Sequence, residues 1–221
     1  SCAVYGIPNK IPLDEFHPKA PINNYGRSKE IGEQILQTTG HSCGMKIATL
    51  RYFNAAGAHV SGEIGEARSL ETHLIPSILN SVLFGKGNFK IFGNDYPTFD
   101  GTCIRDYIHI MDLADAHTET LEYLFENKPQ IINLNIGTGK GTSVLELVKK
   151  FIEVNQCKVP YIICERRHGD VPVIIANNQK KTSLEETQWK HLSTRKLGKL
   201  PTPVCGFTVS YTHLRAHETP E

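Results

Sequence analysis

Lys46-Ile-Ala-Thr-Leu-Arg-Tyr-Phe53 has the β-branched and aromatic content of a buried strand and runs into a loop of small residues, Asn54 to Gly57. Just upstream, residues 24–39 read as a helix. Asn23 or Asn24 caps it, Ile31, Ile35 and Leu36 form its apolar stripe, and Gly40 stops it. A helix delivered straight into a strand is the unit from which α/β sheets are built.

The rest of the chain repeats the alternation. Residues 60–72 are polar and aperiodic, hence a loop, and 73–84 have helical apolar spacing with Pro76 in the first turn. Short strands are expected at 89–93 and 108–110. A helix capped by Asp112 follows to about 126, with Leu113, Ala116, Leu121, Leu124 and Phe125 turned inward. Residues 131–136 form a strand, 143–154 an amphipathic helix and 160–164 a further strand. The fold class is therefore α/β.

Composition narrows the function. The 221 residues carry 24 Lys and Arg against 23 Asp and Glu, which denies the clustered positive charge of a nucleic-acid binder. Hydrophobic residues at 39% suit a soluble globular protein. No apolar run approaches the roughly 20 residues that span a bilayer, so no membrane partner is expected. The six cysteines are scattered without a Cys-x-x-Cys pair, which reads as free thiols in a reducing compartment, and a cytoplasmic location. No metal site is expected: His213 and His217 are four apart but lack the Glu of a zinc-protease helix.

Chemistry concentrates first in Tyr25-Gly-Arg-Ser-Lys29. Positions four apart share a helix face, so phenol and ammonium point into one space. A free phenol, with a pKa of about 10, is a poor base at neutral pH, and a nearby cation favours the phenolate. Such a pair can take a proton from a sugar hydroxyl. Tyr and Lys also fall four apart by chance on solvated helix faces.

The wider pattern removes the chance reading. Ser1-Cys-Ala-Val-Tyr-Gly6, the Tyr25/Lys29 pair, Leu50-Arg-Tyr-Phe-Asn-Ala-Ala-Gly-Ala-His59, Ile91-Phe-Gly-Asn-Asp-Tyr-Pro-Thr98 and Asp100-Gly-Thr-Cys-Ile-Arg-Asp-Tyr-Ile-His109 stand in that order. Asp112-Leu-Ala-Asp-Ala-His117, Asn135-Ile-Gly-Thr-Gly139 and Arg166-Arg-His-Gly-Asp170 continue it. Over roughly residues 1–190 the chain resembles the extended short-chain dehydrogenase/reductases, and within them the UDP-glucose 4-epimerase family.

That resemblance implies the C-terminal portion of an extended Rossmann-type fold plus a smaller α/β substrate-binding domain. Residues 1–58 would be what remains of the NAD-binding domain. Residues 59–190 would mainly bind the UDP-sugar, with segments returning to the Rossmann sheet, and 191–221 would be an aberrant or disordered tail. It implies NAD as cofactor and the interconversion of UDP-glucose and UDP-galactose, a step of galactose metabolism, through a 4-keto intermediate. Ser1, Tyr25 and Lys29 match the family's catalytic triad, Tyr25 as base, Lys29 also bonding the nicotinamide ribose. Tyr52 would lie near the nicotinamide. Arg105 and Arg167 match diphosphate ligands, with Asn54 donating beside them. Asp170 matches the ribose acceptor, and the backbone around Lys90 and Phe92 would meet uracil. His73 and Leu74 would line the sugar side, though Thr72-His73 stands where relatives carry an Asn-Asn pair. Ile174 stands where some members place a tyrosine, and its smaller bulk would admit an N-acetyl group. A homodimer is implied for the full-length enzyme.

Read without the family, Arg105 and Asp106 could equally be a surface ion pair, and Tyr52 a core aromatic. Alternatives are an epimerase of another UDP-sugar, UDP-GlcNAc or UDP-arabinose, and a non-catalytic nucleotide-sugar-binding remnant. Gly137-Thr-Gly-Lys-Gly141 suggests a dinucleotide loop, but Thr142 stands where the third glycine belongs, so it reads as a tight turn between strand and helix. In the family a glycine-rich βαβ unit precedes the Ser1 segment. The chain is therefore expected to be a piece of a longer enzyme, poorly soluble and inactive alone.

Overall fold

The computed structural model describes residues 1–178 apart from 67, 69, 70, 86 and 129. The expectations for His213, His217 and the tail 191–221 lie outside the described residues. Following a short 3-10 helix (Cys2–Val4) come α1 (Asn24–Cys43), β1 (Ile47–Tyr52), β2 (Asn54–Ala56) and α2 (Leu74–Leu83). Next are β3 (Phe89–Phe92), β4 (Ile104–His109), α3 (Ile110–Glu126) and β5 (Ile131–Ile136). Then follow β6 (Gly141–Ser143), α4 (Val144–Asn155), β7 (Tyr161–Cys164) and β8 (Val173–Ile174).

Parallel pairing dominates, as strands joined through helices require. β1 pairs with β5, Arg51 opposite Asn135. β2 and β8 both run parallel to β4, and β3 runs parallel to β7. Among the described residues only β6 is antiparallel, against β4. The β1–β5 sheet thus joins distant parts of the chain, since residues 131–136 return to pair with the strand that follows α1.

Among the described residues three apolar cores hold these elements together. Ile78 and Leu79 of α2 pack with Ile91 of β3 and with Val148 and Phe151 of α4. Ile108, Leu113, Ala116, Leu134 and Ile136 join α3 to β4 and β5. Val4, Tyr5, Leu13, Phe53 and Ala176 bring the N-terminal turn against the residues after β8. A capping box at Ser143 starts α4: its Oγ accepts from Glu146 N, while Glu146 reaches back to the Ser143 amide.

Several local expectations give way to tertiary packing. Asn23 caps α1, but Gly40 does not end it; the helix continues to a left-handed Gly44. A Cβ at Gly40 would lie 2.6 Å from Ile47 Cδ1 and 2.9 Å from Ile131 Cδ1. The glycine marks a close approach of α1 to the sheet, not the helix's stop. The inward face of α1 is Gly26, Glu30, Glu33 and Gly40, whereas Ile31, Ile35 and Leu36 are 44%, 60% and 44% exposed. In α3, Leu113 and Ala116 are buried as expected, but Leu121 and Phe125 are 53% and 72% exposed. That helix starts three residues early, capped by His109 and not by Asp112, with His109 Nδ1 accepting from Met111 N at 3.2 Å. Asn54–Ala56 is a strand and not a loop because it finds a free edge on β4.

Candidate active site

The first turn of α1 places Tyr25 and Lys29 on an open face. Tyr25 is 56% exposed, and Lys29 Nζ stands 5.5 Å from the centroid of its ring. The turn is anchored by Asn23 Oδ1, which accepts from Gly26 N at 2.8 Å. Gly26 then meets the segment that carries Ser1, where a Cβ would fall 2.4 Å from the Ala3 carbonyl oxygen. Ser1 caps its own 3-10 turn: Oγ accepts from Ala3 N at 3.3 Å. The hydroxyl keeps its proton for donation. The three candidate catalytic residues therefore sit on two turns in van der Waals contact.

A second cluster forms around β4. Arg105 Nη1 donates to the Val171 carbonyl at 2.6 Å, and its Nη2 stands 3.9 Å from Asp170 Oδ1. Arg167 donates to both oxygens of Asp170, Nε to Oδ2 at 2.9 Å and Nη2 to Oδ1 at 3.2 Å. The Arg167 guanidinium also lies 4.8 Å from the centroid of the Phe92 ring. Ile174 is the register partner of Arg105 across β8 and β4. Four candidates from distant parts of the sequence (Phe92, Arg105, Arg167, Asp170) thus form a chain of contacts, with Ile174 beside it. Two guanidiniums and one carboxylate leave a cationic excess suited to a diphosphate.

The remaining candidates are more dispersed. Asn54 opens β2 opposite Tyr107 of β4. Lys90 is exposed on β3, and Leu74 begins α2 against the apolar core. Tyr52 is no core aromatic; it is partly exposed, 6.1 Å from the His117 ring. His73 caps α2 without a side-chain bond, its Nδ1 2.6 Å from Glu66 Oε1. Glu66, Glu71 and His73 gather ligand atoms within 4.8 Å of one another, but Arg68 also holds Glu66 at 2.7 Å, so the acidic charge already has partners.

Asp106 is not an ion-pair partner of Arg105. Fully buried, its Oδ1 accepts from Thr138 N and Thr138 Oγ1 at 2.8 and 2.6 Å. Oδ2 accepts from Gly139 N at 3.0 Å and Ala176 N at 3.1 Å. The amides of the Gly137–Gly139 turn thus serve an internal carboxylate, and β6 separates the turn from α4. The turn cannot cradle a dinucleotide phosphate.

One feature carries no motif in the sequence. A cavity of about 430 Å³ opens at the carboxyl ends of the parallel strands β3 and β7, lined by Gly93, Asn94, Asp95, Ile163, Cys164, Glu165 and Arg166. Arg166 pairs with Asp95 at 2.7 Å and lies over the Tyr96 ring at 4.3 Å. Its adjacency to Arg167 was the available signal.

Residues 1–137 match the family described as the NAD dependent epimerase/dehydratase family. A UDP-glucose 4-epimerase of Rhizobium meliloti is 45% identical over 212 residues, 90% of this chain and 64% of the relative. One of Rhizobium leguminosarum bv. trifolii is 48% identical over 180 residues, 81% of this chain and 55% of the relative. Among solved structures, the UDP-glucose 4-epimerase of Brucella ovis in complex with NAD is similar at a TM-score of 0.78 and 41% identity, covering 82% of this chain and 56% of that one. The Stenotrophomonas maltophila enzyme with bound NAD and formylated UDP-arabinopyranose gives 0.85 and 36%, covering 98% and 63%. The chain spans between about half and two thirds of the length of these relatives. Among the described residues no helix is long and apolar enough to cross a membrane.

Proposed function

Since the chain belongs to the NAD dependent epimerase/dehydratase family, we propose that the protein carrying it interconverts UDP-glucose and UDP-galactose by C4 epimerisation, with NAD as cofactor. The observation that carries this reading is the exposed Tyr25–Lys29 pair on a helix turn packed against the Ser1 turn. Tyr25 would take the proton of the 4-hydroxyl, Ser1 would donate to the same oxygen, and Lys29 would favour the phenolate and bond the nicotinamide ribose. Bound NAD supplies the acceptor and donor of hydride. Tyr25, Lys29 and Tyr52, all solvent-accessible, fit its nicotinamide end.

Arg105 and Arg167 would hold the diphosphate with Asn54, and Asp170 the uridine ribose. Lys90 and Phe92 would meet uracil, and His73, Leu74 and Ile174 the sugar. In this reading residues 1–58 carry the proton chemistry and 59–190 chiefly the nucleotide sugar. Neither another UDP-sugar as main substrate nor a non-catalytic remnant is favoured by relatives named for UDP-glucose. Assembly as a homodimer through the exposed apolar face of α1 belongs to the same proposal. So does a cytoplasmic location, supported by the free thiols of Cys2, Cys43, Cys103, Cys157 and Cys164.

The test is Tyr25→Phe in the whole protein, assayed for UDP-galactose formation from UDP-glucose. Loss of the general base should lower kcat by about 10²-fold or more. An unchanged rate refutes the mechanism.

A further inference from the structure

We propose that Tyr5, Arg51 and Glu33 are positioning residues that lock the Ser1 turn in register with the Tyr25–Lys29 helix, an inference that rests on the catalytic reading above. Glu33 lies eight residues after Tyr25 on α1, about 12 Å along its axis. It faces inward where Tyr25 faces out. Arg51 on β1 grips both of its oxygens, Nε to Oε1 at 2.8 Å and Nη2 to Oε2 at 2.7 Å. A single bond would let the helix swivel about its axis. Two parallel bonds to a planar carboxylate fix the rotation and so the direction in which Tyr25 points.

The same guanidinium holds the other turn. Arg51 Nη1 donates to Tyr5 Oη at 3.0 Å and to the Glu15 carbonyl at 3.1 Å. Tyr5 Oη in turn donates to Asn135 Oδ1 at 2.6 Å, and Asn135 Nδ2 donates to the Leu13 carbonyl at 2.9 Å. Tyr5 is fully buried four residues after Ser1, immediately after the 3-10 helix. One planar side chain, rooted in the β1–β5 sheet, thereby sets both turns against a common frame.

Charge supports this arrangement. Burial opposes the charge on Arg51, but the bonds to Glu33 and Tyr5 outweigh it and raise the guanidinium's pKa. Burial likewise opposes ionisation of Glu33, yet Arg51 and Lys19, 3.3 Å away, hold its pKa below the ordinary carboxylate value. A buried pair of this kind is poor evidence of stability, since apolar residues can replace it without loss. Its directional geometry is what apolar residues could not supply. Proton transfer needs Ser1 and Tyr25 to reach one substrate oxygen together, and small misplacements are costly there.

Tyr5→Phe deletes one hydroxyl and leaves the Arg51–Glu33 pair, while Arg51→Lys keeps the charge and loses the fork. Both are made in the whole protein and assayed with UDP-glucose for kcat, KM, the pH dependence of kcat and the melting temperature. Expected are a KM within about twofold, a kcat lower by roughly ten- to hundredfold, and an acid limb of the kcat profile moved to higher pH. The limb moves because a displaced Ser1 no longer helps to stabilise the phenolate. A purely structural role would leave that limb in place, and an unmoved limb, or an unchanged kcat, overturns the proposal. If Arg51→Lys does not fold, Tyr5→Phe decides alone. Tyr25→Phe run alongside separates the failures: an active Tyr25→Phe refutes the catalytic reading, whereas an inactive one beside a fully active Tyr5→Phe refutes only the positioning role.

Discussion

Gly26 and Ala3 approach so closely that any side chain at position 26 would collide with backbone, since an added Cβ would lie 2.4 Å from the Ala3 oxygen and 2.9 Å from Pro21 Cβ. At Gly26 the helix carrying Tyr25 meets the turn carrying Ser1 so closely that only hydrogen fits.

Gly26→Ala should therefore cost stability and rate together. Backbone must move to admit the methyl group, a strain of about 1–3 kcal/mol. Separation of the two turns should also lower kcat. Urea unfolding and steady-state kinetics report the two effects, and a variant with parental values in both would contradict the close contact.

Asp106→Asn should destabilise without touching substrate chemistry directly. Four donors converge on this buried carboxylate, two on each oxygen. A carboxamide presents an NH₂ to two of them, leaving buried donors unpaired at about 1–3 kcal/mol each. A urea midpoint equal to that of the parent would show that the Gly137–Gly139 turn does not depend on this carboxylate.

The pH dependence of stability has two arms. Glu33 and Asp100 have folded pKa values below their ordinary ones: burial opposes ionisation, but Arg51 for Glu33, and Ser143 and Thr102 for Asp100, outweigh it. Their contribution is complete above the unfolded carboxylate values of about 4 and is lost as pH falls through the lower folded values. On the alkaline side, burial pushes Tyr5 up to about 12 and Cys2 up to about 11. Their contribution is complete below the unfolded values and lost as pH rises through the folded ones. Melting curves from pH 3 to pH 12 should show both declines, with Tyr5→Phe flattening the alkaline arm. A parental alkaline arm in Tyr5→Phe would count against a buried, protonated phenol.

Ile35→Glu should convert the proposed homodimer to monomer, because the substitution sets a charge in the middle of the exposed Ile31, Ile35 and Leu36 face. Light scattering on the whole protein reads the mass directly. A dimer that survives the change does not use this face.

In the proposed reading Ile174, the register partner of Arg105, lines the sugar side with less bulk than a tyrosine. The whole protein should therefore turn over UDP-GlcNAc as well as UDP-glucose, and Ile174→Tyr should lower the first activity more than the second. A parent with no activity on the acetylated sugar ends that idea.

Local chemistry made most elements readable. Residues 46–53 and 131–136 carry strand composition, and α2 and α4 carry clear apolar periodicity, so each was placed within a few residues. The short strands β2, β6 and β8 were not, because two or three residues have no periodicity and exist only where β4 offers them partners. The α1 stripe differs for a related reason: spacing turns Ile31, Ile35 and Leu36 inward, while the helix is held by Glu33 to Arg51 and by Gly40 against Ile47 and Ile131. The site followed the same division. Tyr25 and Lys29 are one turn apart and visible in any helix, whereas Arg105, Arg167 and Asp170 stood out only through family resemblance.

What the amino-acid order settles here is the longer helices and strands and the Tyr25–Lys29 pair, because those depend on spacings of one helical turn or one pleat. Only the folded chain decides which face of α1 turns inward, which carboxylate receives the glycine-rich turn and which guanidinium spans the Ser1 turn and α1. Those choices rest on partners such as Tyr5, Glu33, Arg51 and Asn135, which lie up to 130 residues apart. A bond between groups so far separated along the chain leaves no local pattern to read.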